Sequence, residues 1–174
     1  MELIKKHIRA IPDFPKPGIL FRDTIHIMKS PEALKRTTEL LAERYAGEKV
    51  DLIAGIEARG FLFGTALAQA LALPFIAIRK PGKLPGEIVR KEYDLEYGTD
   101  TIEMQADAVE KNQRVLIVDD LLATGGTARA AADLVVEVGG EVVECAFIVE
   151  LAGLNGKARL GDHKSHALVT YPGA

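Results

Sequence analysis

Apolar positions along this chain follow two rhythms that take turns. After Ser30-Pro31-Glu32, the residues Leu34, Thr38, Leu41 and Tyr45 fall on one helical face, and Gly47 follows as a stop. The start carries a capping hydroxyl, a proline at the first helical position and an acid in the first turn. Residues 50–56 are a run of strand length. Small apolar residues at helical spacing follow over 60–72, then a second short run over 73–78. Residues 114–119 (Arg-Val-Leu-Ile-Val-Asp) give the clearest strand. Its β-branched residues and leucine show no alternation, as in a strand covered on both faces. Ala128, Ala131, Val135 and Val138 mark the next helix, which Gly139-Gly140 ends, and residues 142–149 read as another strand. A weaker helix over 152–160 and a strand over 167–170 close the pattern.

Two segments break the rhythm. Residues 2–9 have the spacing of a short amphipathic helix, but Pro12, Pro15, Pro17 and Gly18 then interrupt regular structure before a brief extended stretch over 19–21. Residues 79–100 are charged and carry Pro81, Gly82, Pro85, Gly86 and Gly98. A polar stretch of that length is expected to be a functional loop. The alternation elsewhere predicts an α/β fold, a mostly parallel twisted sheet flanked by helices.

Composition narrows the classes. With 174 residues, 48% of them apolar and 27% charged, the chain suits one ordinary globular domain over 1–174. The formal charge of −3, from 22 Lys+Arg and 25 Asp+Glu, argues against sequence-independent nucleic-acid binding. Cys145 is the single cysteine, so an internal disulfide framework and a multi-cysteine metal site are excluded. It is expected simply to pack in its strand. His7, His26, His163 and His166 lack metal-ligand spacing. Apolar runs fall far short of the roughly 20 residues that span a bilayer, and the first residues have no apolar signal core. A soluble cytoplasmic protein with no membrane or nucleic-acid partner is the expectation.

The most informative segment is Asp119-Asp120-Leu-Leu-Ala123-Thr124-Gly125-Gly126-Thr127, at the end of the clearest strand. A buried strand delivers two carboxylates to its carboxyl end, where ligands of open α/β sheets sit. The turn offers unpaired N–H groups, threonine hydroxyls and a helix N-terminus, all of which favour a phosphate. Gly125 and Gly126 let the backbone approach without a Cβ in the way. No lysine stands in the turn, so it is not a nucleoside-triphosphate P-loop, and Gly-x-Gly-x-x-Gly is absent. Acids just before a phosphate turn suit ribose hydroxyls, with the 5′-phosphate in the turn.

This segment resembles the phosphoribosyl diphosphate (PRPP) motif of type I phosphoribosyltransferases. Phe21-Arg22-Asp23, Glu57-Ala58-Arg59-Gly60-Phe61, Arg79-Lys80-Pro81-Gly82-Lys83-Leu84-Pro85-Gly86, Leu95-Glu96-Tyr97-Gly98 and Val149-Glu150-Leu151 resemble, in order, the adenine-specific branch of that family. The resemblance spans nearly the whole chain. It implies a small N-terminal base-binding hood contributed by about residues 1–30, a long flexible loop, and a homodimer. It implies a glycosyltransferase of purine salvage that moves 5-phosphoribose from PRPP to adenine, giving AMP and pyrophosphate. Mg2+ is the implied cofactor, held mainly through PRPP and water, with no direct protein ligand expected.

The resemblance also distributes the residues. Asp119, Asp120, Ala123, Thr124, Gly125, Gly126 and Thr127 take the ribose and 5′-phosphate. Arg59, Arg79, Lys80 and Lys83 take the pyrophosphate, and Leu20, Phe21, Arg22 and Leu151 take adenine. Glu96 and Arg59 take the catalytic roles. The chemistry of the residues supports parts of this. Residues 79–91 hold Arg79, Lys80, Lys83, Arg90 and Lys91 against Glu87, a local positive island suited to a dense anion. Phe21 and Leu151 could sandwich a flat base. A carboxylate near N7 of adenine would aid attack by N9, but by chemistry alone Glu92, Asp94 and Glu96 are equally eligible. A transferase for another purine, or a regulatory module that binds PRPP without catalysis, would share the phosphate-binding residues.

Overall fold

A computed structural model describes residues 1–94 and 98–173. In chain order the elements are α1 (Glu2–Lys6), β1 (Arg9–Pro12), β2 (Leu20–Asp23), a 3-10 turn (Ile25–Lys29), α2 (Pro31–Tyr45), β3 (Leu52–Ile56), α3 (Arg59–Leu71) and β4 (Phe75–Ile78). Then come β5 (Ile88–Asp94), β6 (Thr99–Gln105), β7 (Arg114–Leu122), α4 (Gly126–Glu137), β8 (Glu141–Leu151), a 3-10 turn (Ala152–Leu154), α5 (Gly156–Arg159) and β9 (Ser165–Tyr171).

The centre is a five-stranded sheet in the order β4-β3-β7-β8-β9, with every neighbouring pair parallel. Its middle strand, β7, explains why no alternation was visible in the sequence. Val115 and Ile117 belong to one apolar cluster, with Phe147 and Ala131, Leu134 and Val135 of α4. Leu116 and Val118 belong to the other, with Leu41 and Tyr45 of α2 and Phe63 and Leu67 of α3. Both faces of the strand are therefore interior. Truncating a residue such as Leu116, which is 0% exposed, to alanine would cost about 2–5 kcal/mol.

Helix α2 begins as its sequence predicts. Ser30 is the cap, its side chain accepts the Ala33 N–H at 3.2 Å, and proline follows at the first position. The parallel sheet with flanking helices agrees with the expected fold class. Cys145 is fully buried and burial pushes its thiol up to about 12, which suits a packing role.

Three local expectations are corrected. Residues 79–100 are not a featureless loop, because β5 and β6 pair as an antiparallel hairpin from Ile88↔Gln105 to Asp94↔Thr99. The hairpin packs Tyr93, Ile102 and Met104 into the core beside α4. The N-terminal helix stops at Lys6, and Arg9–Pro12 pairs with Leu20–Asp23 to make a two-stranded hood despite its proline, which stands at the strand's last position. The helix expected over 152–160 is a 3-10 turn followed by the single turn of α5.

Candidate functional site

The carboxyl ends of β3 and β7 meet the starts of α3 and α4, and a cleft of about 400 Å3 opens there. Glu57, Ala58, Arg59, Asp119, Asp120 and Thr127 are among the residues lining it. Close packing sets this geometry. A Cβ on Gly60 would lie 2.5 Å from the Val118 carbonyl oxygen, so only glycine lets α3 start against the end of β7. That brings Arg59 to Asp120, Nε to Oδ2, at 2.8 Å. The Glu57–Ala58 peptide bond is cis.

The turn after β7 forms a second, adjoining cavity of about 80 Å3, lined by Ala123, Thr124, Gly125, Gly126, Thr127 and Asp119 among others. This pocket is the smaller of the two, and its lining offers backbone groups and the Thr124 and Thr127 hydroxyls. Gly125 holds a φ of 82° and precedes α4. A side chain there would collide with the Gly156 carbonyl oxygen at 2.4 Å. Glycine is thus required both for the turn and for the contact with α5.

The two aspartates differ. Asp120 is 2% exposed, and its Oδ2 accepts from the Thr24 hydroxyl at 2.6 Å and forms an ion pair with Arg59. Asp119 accepts only the Asp120 backbone N–H, at 2.8 Å, among the described residues. Burial pushes the Asp119 carboxyl well above its ordinary value and the neighbouring Asp120 charge pushes it further. The Asp120 N–H and Arg59 oppose this only in part. Asp119 is thus a carboxylate short of donors, at the edge of the turn over 123–127.

The expected pyrophosphate cations converge, but each already has a partner. Glu57 accepts from Arg79 Nε at 3.2 Å, from Lys83 Nζ at 2.5 Å and from the Lys80 backbone N–H at 2.8 Å. Burial alone would raise the Glu57 carboxyl, but Lys83, the Lys80 N–H and Arg79 together hold it down at about 2. Lys80 turns its ammonium to Asp100 and to the Tyr93 hydroxyl, 3.0 Å away. Arg90 pairs with the buried Glu103 at 3.4 Å. The positive island read from residues 79–91 is therefore largely neutralised, by acids lying outside that segment.

The expected base-site residues lie on the hood and at the end of β8. Phe21 packs edge-on against Phe14, with centroids 5.1 Å apart, and the Arg59 guanidinium lies 5.5 Å from the Phe21 ring. Arg22 stacks on Tyr171 at 4.0 Å, and Tyr171 pairs in register with Leu151. Leu151 is thus linked to the hood through Tyr171, and Leu20 sits opposite Pro12 at the hood's edge. Glu96 lies outside the described residues. Of its competitors, Asp94 and Glu92 lie on β5.

Three residues at this site went unnoticed in the sequence: Thr24, Tyr93 and Tyr171. Tyr93 accepts from Lys80 and, at 3.2 Å, from Thr127, so its hydroxyl joins the cationic segment to the turn over 123–127. None of the three sits in a local pattern that marks it. Thr24 and Tyr171 meet partners far away in sequence, and Tyr93 meets Thr127 34 positions on.

Comparison with known proteins agrees with this geometry. The model of the phosphoribosyl transferase domain matches residues 24–170. The adenine phosphoribosyltransferase 1 of Triticum aestivum is 54% identical, with 97% of this chain and 93% of that protein aligned. The crystal structure of adenine phosphoribosyltransferase from Thermoanaerobacter pseudethanolicus superposes with a TM-score of 0.95 at 50% identity, covering 98% of this chain and 99% of that one. The Saccharomyces cerevisiae adenine phosphoribosyltransferase, complexed with an imino-altritol bisphosphate and adenine, superposes with a TM-score of 0.91 at 39% identity, covering 96% and 97%.

Proposed function

Since the chain belongs to the adenine phosphoribosyltransferases of the type I phosphoribosyltransferase family, we propose that it transfers 5-phosphoribose from PRPP to adenine in a Mg2+-dependent reaction, giving AMP and pyrophosphate. The observation that carries this reading is the adjacency of two cavities. The smaller is the turn at 123–127, and the larger holds Asp119, Asp120 and Arg59.

In this reading the turn anchors the 5′-phosphate through backbone N–H groups and the Thr124 and Thr127 hydroxyls. Asp119 and Asp120 accept from the ribose hydroxyls and supply negative field beside C1, where positive charge builds as pyrophosphate leaves. Arg59, Arg79, Lys80 and Lys83 receive the pyrophosphate, the last three giving up their own carboxylates to do so. Leu20, Phe21, Arg22 and Leu151 hold adenine, and Glu96 takes the proton-handling role at its N7 edge. The segment from Arg79 onward closes over the site and keeps water from competing as nucleophile.

Mg2+ would be held mainly through PRPP and water, with Asp119 and Asp120 acting on the ribose hydroxyls beside it rather than as direct ligands. Among the described residues no group of three or more His, Cys, Asp or Glu could cage a metal alone. When bound, Mg2+ would offset charge on the pyrophosphate oxygens as the leaving group departs. Action as a cytoplasmic homodimer, in which loop cations of one copy reach the other's site, belongs to the same reading, as does a place in purine salvage.

The test is incubation with PRPP, Mg2+ and a panel of nucleobases, with products separated by chromatography. AMP from adenine alone, abolished by EDTA, is the expected result. Product from an oxopurine would overturn the base assignment. No product from any base, with PRPP still bound, would overturn catalysis.

A further inference from the structure

We infer that Thr24 is a positioning residue for the PRPP half of the reaction, its buried hydroxyl fixing the Asp120 carboxylate that in turn holds Arg59. This rests on the reading above and adds to it a residue outside every expected site position.

Thr24 stands where the hood's second strand passes into the 3-10 turn at Ile25–Lys29, in the cap position of that turn. Threonine in such a place ordinarily spends its hydroxyl on the helix N–H groups. Here its side chain makes no capping bond. Asp23 does that work instead, accepting the Ile25 N–H at 3.0 Å on Oδ1 while Arg9 holds its Oδ2. The Thr24 hydroxyl is left to reach 96 positions along the chain to Asp120. Thr24 is 1% exposed and Asp120 2%, so no water is at hand to replace the bond.

Direction matters as much as distance. The hydroxyl and Arg59 Nε both meet Oδ2 of Asp120, at 2.6 Å and 2.8 Å. Among the described residues Oδ1 has no hydrogen-bond partner, so it remains for the substrate. The hydrogen bond from Thr24 and the ion pair with Arg59 share one oxygen, so the bond that orients the carboxylate also sets where the guanidinium sits. Without the hydroxyl, Asp120 keeps one anchor and can turn about its side-chain bonds. Both the ribose acceptor and the pyrophosphate cation then lose their fixed places, while Phe21, Arg22 and Leu151 keep theirs. Thr24 thus ties the base wall, through β2, to the ribose carboxylate.

The experiment compares wild type, Thr24→Val, which keeps the shape and removes the hydroxyl, and Thr24→Ser, which keeps the hydroxyl and removes a methyl. PRPP affinity is read by titration calorimetry with Mg2+, and KM values for PRPP and adenine come from AMP formation below each variant's melting range. Loss of a hydrogen bond to a buried charge predicts PRPP binding weakened roughly ten- to hundred-fold in Thr24→Val. The adenine KM should stay within about threefold, and Thr24→Ser should recover most of the loss. Unchanged PRPP binding in Thr24→Val would overturn the inference. So would an equal loss in Thr24→Ser, or a loss shared equally by adenine, since those are marks of a merely structural residue. Wild type that fails to bind PRPP at all would instead overturn the functional reading and this inference with it.

Discussion

Two carboxylate centres sit on neighbouring strands, at opposite ends of the sheet. At the amino end of β8, Glu144 accepts both Nε and a terminal nitrogen of Arg44 at 2.9 Å and the Tyr45 hydroxyl at 2.7 Å. Burial would raise its carboxyl, but these donors prevail and hold it below the ordinary value. At the carboxyl end of β7, Asp119 has one backbone donor and a charged neighbour, and is pushed the other way. Each end has a polar cavity, about 160 Å3 around Glu144 and about 400 Å3 around Asp119 and Asp120. The presence of a polar cavity therefore does not tell them apart. Donor supply does: Glu144 is saturated by its own chain, whereas Asp119 is left short of donors, as the proposed contact with substrate hydroxyls requires.

Exchanging charge for amide at each end should give opposite results. Asp120→Asn carries the largest expected effect. It removes the charge that holds Arg59 and accepts from Thr24, and kcat/KM for AMP formation should fall about 10²–10³-fold, the usual scale for losing a preorganised electrostatic contact. Activity within threefold of wild type would remove Asp120 from the proposed chemistry. Glu144→Gln should do the reverse, leaving activity of the folded enzyme unchanged while costing stability. Breaking a buried pair costs about 3–5 kcal/mol. Arg44 is 40% exposed and can rehydrate, so the smaller figure of about 2–3 kcal/mol applies. At this chain length that lowers the thermal midpoint by about 5–10 °C.

Much of this contrast was legible in the sequence at one end only. Asp119 and Asp120 announced themselves because a featureless apolar run ended abruptly in two acids and a Gly-Gly turn. Glu144 did not, since one glutamate inside Val142 to Val149 reads as any strand polar position. Arg44, which neutralises it, lies 100 positions away. The same physics hid Thr24. It also hid the hairpin over 88–105, whose buried Tyr93, Ile102 and Met104 are split between two strands, with charged Arg90, Lys91 and Glu92 running up to the first of them. The neutralisation of Arg79, Lys80, Lys83 and Arg90 was hidden likewise, because Glu57, Asp100 and Glu103 come from elsewhere. Local rhythm reveals strands, helices and a glycine-paired turn between them. Pairing between distant charges is a property of the fold.

Asp119→Asn sharpens the comparison through pH. A carboxyl raised on folding favours the folded state below its unfolded value, near 3.9, and that contribution is lost as pH rises through the folded value. At neutral pH Asp119 therefore works against stability, and the amide should raise the thermal midpoint by a few degrees, about 1 kcal/mol, while activity falls. The gain should vanish in acid. Glu144 has the opposite sign: its contribution is present above the unfolded value, near 4.3, and is lost as pH falls through the lowered folded value. The deficit of Glu144→Gln should therefore also shrink in acid, because the wild type loses what the variant already lacks. Melting curves from pH 3 to 8 test both. A deficit that grows on acidification would show that Glu144 is not held as an ion.

The smallest effects come from the two buried tyrosine hydroxyls, one at each centre. Tyr45 is 3% exposed and donates to Glu144, and burial followed by the Glu144 charge pushes its own ionisation upward. Tyr93 is 9% exposed, and its hydroxyl receives Lys80 and Thr127 and meets Asp100 at 3.1 Å. Tyr45→Phe removes a donor to a charge already held by a bidentate arginine, so about 1.5 kcal/mol of stability should go and no activity. Tyr93→Phe leaves the ring packed against Gly126, 3.4 Å from a Cβ position there, and removes only the polar bridge. Stability should fall by no more than about 1 kcal/mol. Because Thr127 and Lys80 are both expected to move to substrate phosphates, the bridge belongs to the empty enzyme. PRPP then no longer has to break it, and its KM should stay level or fall up to about threefold. A rise in that KM would mean that Tyr93 presents Thr127 and Lys80 to the substrate rather than holding them until it arrives.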